Sequence, residues 1–162
     1  MKKLMILLLI ASVIPAFAAE PVPEHPLIRP YPGSVLAENM SRHNTFDVFE
    51  FSIMNPDTNR REKKAVKGEY WRLLYEVRNP DGSRVQNISK VEFLENYKAA
   101  ALEKGGQVLY DDGGIMTFTI PRDDGGITYC QVGGTANLGQ QDLVIVDEQP
   151  FKKSLTFGPA EM

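Results

Sequence analysis

Thiol and imidazole chemistry is scarce in this chain: 162 residues hold one cysteine, Cys130, and two histidines, His25 and His43. A lone cysteine cannot close an intrachain disulfide, so stability has to come from packing. Two histidines without H-E-x-x-H spacing cannot make a zinc site unless carboxylates gather from afar. Long apolar runs are also missing. The longest, Leu4 to Ile14, is about 11 residues, against roughly 20 for a membrane-spanning helix. There is no G-x-S-x-G, no phosphate-cradling loop ahead of a helix and no dinucleotide fingerprint. Basic charge is not in excess either. The formal net charge is −3, and no basic stripe is evident, which argues against a nucleic-acid partner.

The first residues are built as an export signal. Lys2 and Lys3 precede the apolar run, Pro15 breaks it, and Ala16-Phe17-Ala18 is an A-x-A cleavage site. Cleavage after Ala18 leaves a mature chain of 144 residues from Ala19, without a transmembrane segment. Its 16 basic and 21 acidic residues give a net charge of −5. Neither a twin arginine nor a cysteine at the cleavage point is present. The expectation is a periplasmic protein organised as a signal peptide (1–18), a proline-rich lead-in (19–33), one α+β domain (34–150) and a C-terminal tail (151–162). In the lead-in, five prolines fall between Pro21 and Pro32, which forbids helix and favours an extended strap, either linker or docking arm.

Phe49, Phe51 and Ile53 alternate with polar residues as in a half-buried strand, closed by Asn55-Pro56-Asp57. A second strand, Glu69 to Arg78, stops at Asn79-Pro80-Asp81-Gly82. Ser89-x-x-Glu92 is a capping box, and Phe93, Leu94, Tyr97, Ala100 and Ala101 follow at helical spacing until Gly105. Four short strands come next: 107–110, 115–121, 128–132 and 142–147. Asp111-Asp112-Gly113-Gly114 and Asp123-Asp124-Gly125-Gly126 separate the first three with hairpin chemistry. These elements predict an α+β fold, one amphipathic helix on an antiparallel sheet.

His25-Pro26-Leu27-Ile28-Arg29-Pro30-Tyr31-Pro32-Gly33-Ser34, Phe46-Asp47, Val91 to Ala100, Gly105 to Tyr110 and Leu143 to Pro150, in that order and spacing, resemble the module that precedes the peptidoglycan-binding domain in some OmpA-family envelope proteins. The similarity covers nearly the whole mature chain. It implies a Gram-negative cell envelope and an envelope protein as partner, without a known activity. The sequence reaches Met162 soon after the module and carries no match to the Asp and Arg ligand motif, so peptidoglycan anchoring does not carry over.

Candidate chemistry is thin. Cys130 beside His25 or His43 would be an activated nucleophile. Thr128, Cys130 and Val132 share a strand face, however, and His43 lies in a polar, loop-like stretch, which favours a small buried thiol. The Asp-Asp-Gly-Gly turns lack the alternate spacing and closing glutamate of a calcium loop. Asp47, Glu50, Glu69 and Glu76 would have to converge to act as a carboxylate pair, and they read instead as the outer face of a sheet. Tyr70, Trp71, Tyr75 and Tyr97, with Phe93, read first as helix-to-sheet core, the lining of an aromatic pocket being the alternative. No catalytic residue, metal or cofactor is assigned. The leading expectation is a non-catalytic module that binds another protein; the alternatives are a carrier of a small apolar or glycan ligand and an enzyme using Cys130.

Overall fold

A computed structural model describes residues 21–85, 88–134 and 139–152; the expected signal peptide (1–18) and residues 153–162 of the tail lie outside them. Strand dominates, and the fold is α+β with an antiparallel sheet and a single α-helix among the described residues. The strands are β1 (Ser34–Leu36), β2 (Arg42–Asn55), β3 (Arg60–Val77), β4 (Gln107–Asp111), β5 (Met116–Pro121), β6 (Ile127–Gly133) and β7 (Gln140–Glu148). Helix α1 spans Lys90–Glu103, and a 3₁₀ turn covers Glu38–Met40. No helix among the described residues is long and apolar enough to cross a membrane.

β3 organises the sheet. One edge pairs with β2 from Arg60 to Arg72 and with β1 from Tyr75 to Val77; the other pairs with β7 from Gly68 to Glu76. β7, β6, β5 and β4 then follow as antiparallel neighbours. β3 begins nine residues before the expected Glu69, because Arg60 to Lys67 form a charged arm whose pattern is masked by exposed cations. His43, expected in a loop, is a β2 residue paired with Trp71. Gly68 sits where β3 meets both partners, and a Cβ there would collide with the carbonyl of Asp147, so only glycine permits the approach.

The sheet is buried on both faces, which explains why Leu143, Val144, Ile145 and Val146 read as one apolar run. On the first face Leu73, Tyr75, Phe118, Cys130, Leu143 and Ile145 share a core with Phe93, Leu94, Tyr97 and Ala101 of α1. On the second, Tyr70, Tyr129, Val144 and Val146 are covered by Phe51 and Val66 of the β2–β3 hairpin. The hairpin coils back until β2 lies near β4 and β5, and the Ser52 amide donates to Gln131 Oε1 at 3.2 Å. Tyr70 therefore leaves the helix-to-sheet core where it was expected and belongs to the opposite cluster, since it alternates with Trp71 along β3.

Local signals end the elements as the residues dictate. Ser89 caps α1 by accepting from the Glu92 amide at 3.2 Å. Gly105 follows the helix at φ +75°, a conformation that costs glycine little. The apolar face of α1 is narrow: four residues are buried while Val91 and Leu102 stay exposed. In the hairpin turns, Asp112 Oδ1 accepts from the amides of Gly114 and Ile115, and Asp124 Oδ1 from Gly126.

Candidate functional site

From Pro21 onward the proline-rich lead-in is docked, and His25 docks it. The imidazole is wholly buried, edge-on to Trp71 at 4.6 Å. Nδ1 accepts from the amides of Leu27 and Ile28, both at 3.2 Å, so the ring proton sits on Nε2, which donates to Asp147 Oδ1 at 3.2 Å. The Thr128 hydroxyl donates to the same carboxylate oxygen at 2.5 Å, and Arg122 Nη1 stands 3.5 Å away. Burial acts to raise the Asp147 pKa, but the hydrogen bonds from His25 and Thr128, with the nearby Arg122 charge, outweigh it and hold the carboxyl below its usual value.

A second grip holds the far end of the strap. Gln141, almost fully buried on β7, accepts through Oε1 from the Tyr31 amide at 3.4 Å and the Tyr97 hydroxyl at 3.3 Å, and donates through Nε2 to Ser34 Oγ at 2.7 Å. One amide thereby ties strap, helix and β1 to the sheet. The Tyr31 hydroxyl donates to Glu92 Oε1 at 2.9 Å, so the side chain expected to complete the capping box is turned toward the strap. That carboxylate bond, followed by burial and the Glu92 charge, raises the Tyr31 pKa.

Between the two grips a groove of about 330 Å³ opens under the strap. Leu27, Ile28 and Pro30 form one wall and Tyr97, Ala100 and Ala101 of α1 the other; Phe118 and Ile120 of β5 form the floor. Arg29, Asn96, Glu103 and Lys104 supply the polar rim. The volume is at the small end of ligand pockets, roughly 300–1,000 Å³. Of the four aromatics weighed as alternative pocket residues, only Tyr97 lines the groove. Trp71 is packed between His25 and His43, the latter stacked at 4.7 Å, and Tyr75 is fully buried. Among the described residues, Trp71 Nε1 and the Tyr75 hydroxyl have no hydrogen-bond partner, and burial pushes the Tyr75 phenol up to about 12. Burial likewise raises the Tyr97 phenol.

The remaining candidates do not assemble. Cys130 is completely buried, and burial alone pushes its thiol up, which opposes thiolate chemistry. His25 and His43 are engaged instead with Asp147 and Glu69, the latter at 2.8 Å. Glu76 corrects the outer-face reading of the acids: it is buried, held by Arg78 at 2.7 Å and Arg84 at 2.5 Å. Asp47 accepts from Asn44 and the Val48 amide, whose bonds lower its pKa. Among the described residues no three His, Cys, Asp or Glu side chains stand together as a metal-ligand set. Compared with the profiles of known protein families and with curated proteins, the chain matches none.

Proposed function

We propose that the chain is an exported, periplasmic binding module without a catalytic step of its own, and that the groove beneath the strap holds an apolar group of a small envelope amphiphile. The observation that carries this reading is the apolar groove itself, walled by a strap latched at both ends. A strap fixed this way presents a preformed concave surface, so little ordering entropy is lost when a ligand enters. The floor of Phe118 and Ile120 offers no hydrogen bonds, which favours an acyl or other hydrocarbon group over a glycan. The finer fold reading, α1 as an amphipathic lid on the sheet, serves the same end: its small residues Ala100 and Ala101 leave the space that the groove occupies.

A second reading rests on Leu27, which lines the groove and is 43 % exposed. An apolar side chain of an envelope protein would enter from that side, in keeping with the resemblance to the OmpA-associated module. One experiment separates the two. The protein expressed from Ala19 is titrated with N-phenyl-1-naphthylamine and then with dodecanoate as competitor, beside Ala100→Trp, which fills the groove from an exposed position. Saturable probe binding, displaced by dodecanoate and lost in Ala100→Trp with unchanged thermal stability, supports the small-ligand reading. An absence of probe binding, with cross-linking to an envelope protein that Ala100→Trp abolishes, supports the second. Equal binding by both proteins refutes the groove as the site.

A further inference from the structure

Away from the groove, the β2–β3 hairpin gathers Arg60, Arg61, Lys63, Lys64 and Lys67 on one arm, a local reversal of the acidic balance that the overall composition conceals. Among the described residues, none of these five has a carboxylate within 4.0 Å, whereas Arg72, Arg78, Arg84 and Arg122 all do. Two of them converge. Arg61 donates to Ser52 Oγ through Nε at 3.2 Å and Nη2 at 2.9 Å, and Lys63 Nζ reaches the same oxygen at 3.1 Å. A hydroxyl oxygen has two lone pairs, so three N–H donors aimed at it leave one without an acceptor. The two like charges also repel across that atom. Ser52 is completely covered by the side chains above it, while Arg61 and Lys63 are exposed.

The donors are held in place. The Arg61 guanidinium lies over the Tyr110 ring at 5.1 Å, a cation–π contact that helps to hold it in place. Two acids of the neighbouring strands and turns already hold other donors, although Asp112 also feels the Arg61 charge. Asp112 accepts from Tyr110, Gly114 and Ile115, and Glu62 from Asn55. Glu50 shares the outer face, but the contact recorded for Lys63 there is the Glu50 carbonyl at 3.5 Å.

We propose that Arg61 and Lys63, drawn together over the buried Ser52 hydroxyl, form an anion site for a phosphate group. A tetrahedral oxyanion would take the surplus donors and bridge the two exposed cations, a set of charge-assisted bonds. The phosphate belongs either to a free anion or to a lipid headgroup, and two arms of one experiment distinguish them. In the first, inorganic phosphate is titrated into the 15N-labelled protein at constant ionic strength and followed by NMR. In the second, the protein is sedimented with vesicles of phosphatidylglycerol or of phosphatidylcholine. Binding in either arm should weaken about tenfold or more in Arg61→Gln and Lys63→Gln. Lys67→Gln, on the same arm but outside the cluster, serves as the control and should bind as the parent does. All three positions are exposed, and unchanged circular dichroism shows that the fold survives. Phosphate shifts centred on Ser52, Arg61 and Lys63 identify a free anion; sedimentation with phosphatidylglycerol alone identifies a headgroup. Binding that Lys67→Gln weakens as much as Arg61→Gln would reveal diffuse surface charge and overturn the site, as would no binding in both arms.

Discussion

Replacing His25 by alanine tests whether one buried imidazole holds the strap. The substitution removes the shared acceptor of two amides. Leu27 is exposed enough for water to replace the lost bond, but Ile28 is 4 % exposed, and an unsatisfied buried amide costs about 1–3 kcal/mol. Loss of the edge contact with Trp71 adds about 0.5–1.5 kcal/mol. Asp147 loses one donor but keeps Thr128 and Arg122. The total, about 1.5–4.5 kcal/mol, is comparable to the roughly 1.5–3 kcal/mol that burial of Ile28 contributes to docking, so the strap should come off before the sheet unfolds. Urea unfolding followed by Trp71, the single tryptophan, gives the global loss, and hydrogen exchange gives the local one. The expected result is rapid exchange at the Leu27 and Ile28 amides, weakened probe binding in the groove, and no further loss when residues 19–32 are also deleted. Unchanged strap exchange together with a stability change under about 0.5 kcal/mol would refute the latch.

Three further substitutions address separate parts of the molecule. Gly68→Ala forces a Cβ into the Asp147 carbonyl and should destabilise by about 2–4 kcal/mol, measured by urea unfolding, without altering the composition of the core. Asp147 has a folded pKa below its unfolded value, so its contribution is present above the unfolded value, about 3.9, and is lost as pH falls through the folded one; the stability gap between the parent and Asp147→Asn should be wide at pH 7 and narrow towards pH 3. The Cys130 thiol, buried and shifted upward, should react with a disulfide reagent far more slowly in the native protein than in urea, and a fast native reaction would reopen the thiol chemistry.

Legibility followed the range of the interactions. Ser89, Gly105, Asp112 and Asp124 act within three or four residues of themselves, and their roles could be read directly. The two-faced burial of β7 was visible as an apolar run but not what covers each face, because Phe51 and Phe93 reach it from distant elements. The β3 arm was missed because Arg60 to Lys67 offer only Val66 to the core, so alternation has almost nothing apolar to register. Glu76 reads as an outer-face acid; its burial depends on Arg78 and on Arg84, eight residues away and brought back by its β-bridge to Arg78. The groove was the least legible feature. Its walls come from residues 27–32, 96–104 and 118–120, and no local pattern announces that Ile28 and Ile120 meet.

One regularity does connect strap and sheet. The two grips on the strap, Asp147 and Gln141, lie on the same face of β7 as Leu143 and Ile145, since residues two apart share a face. They are six residues apart, a separation of about 20 Å along a strand. On the strap, their partners His25 and Tyr31 are also six residues apart, and six residues reach at most about 20–22 Å when extended. The strap bends just after His25, where two amides turn back to its ring, so it spans the distance with little slack. Pro26 and Pro30 stiffen that span and remove amides that would otherwise need partners over an apolar groove. The proline content is therefore tied to a particular length as well as to an extended conformation. Inserting one glycine between Arg29 and Pro30 would leave the His25 latch intact but displace Tyr31 from Gln141. In such a variant Tyr97 would keep its bond to Gln141 while the groove wall loosened at the Tyr31 end alone. Exchange protection lost at Tyr31 and retained at Ile28 would show that the two grips act independently, with the length of the strap setting the width of the groove.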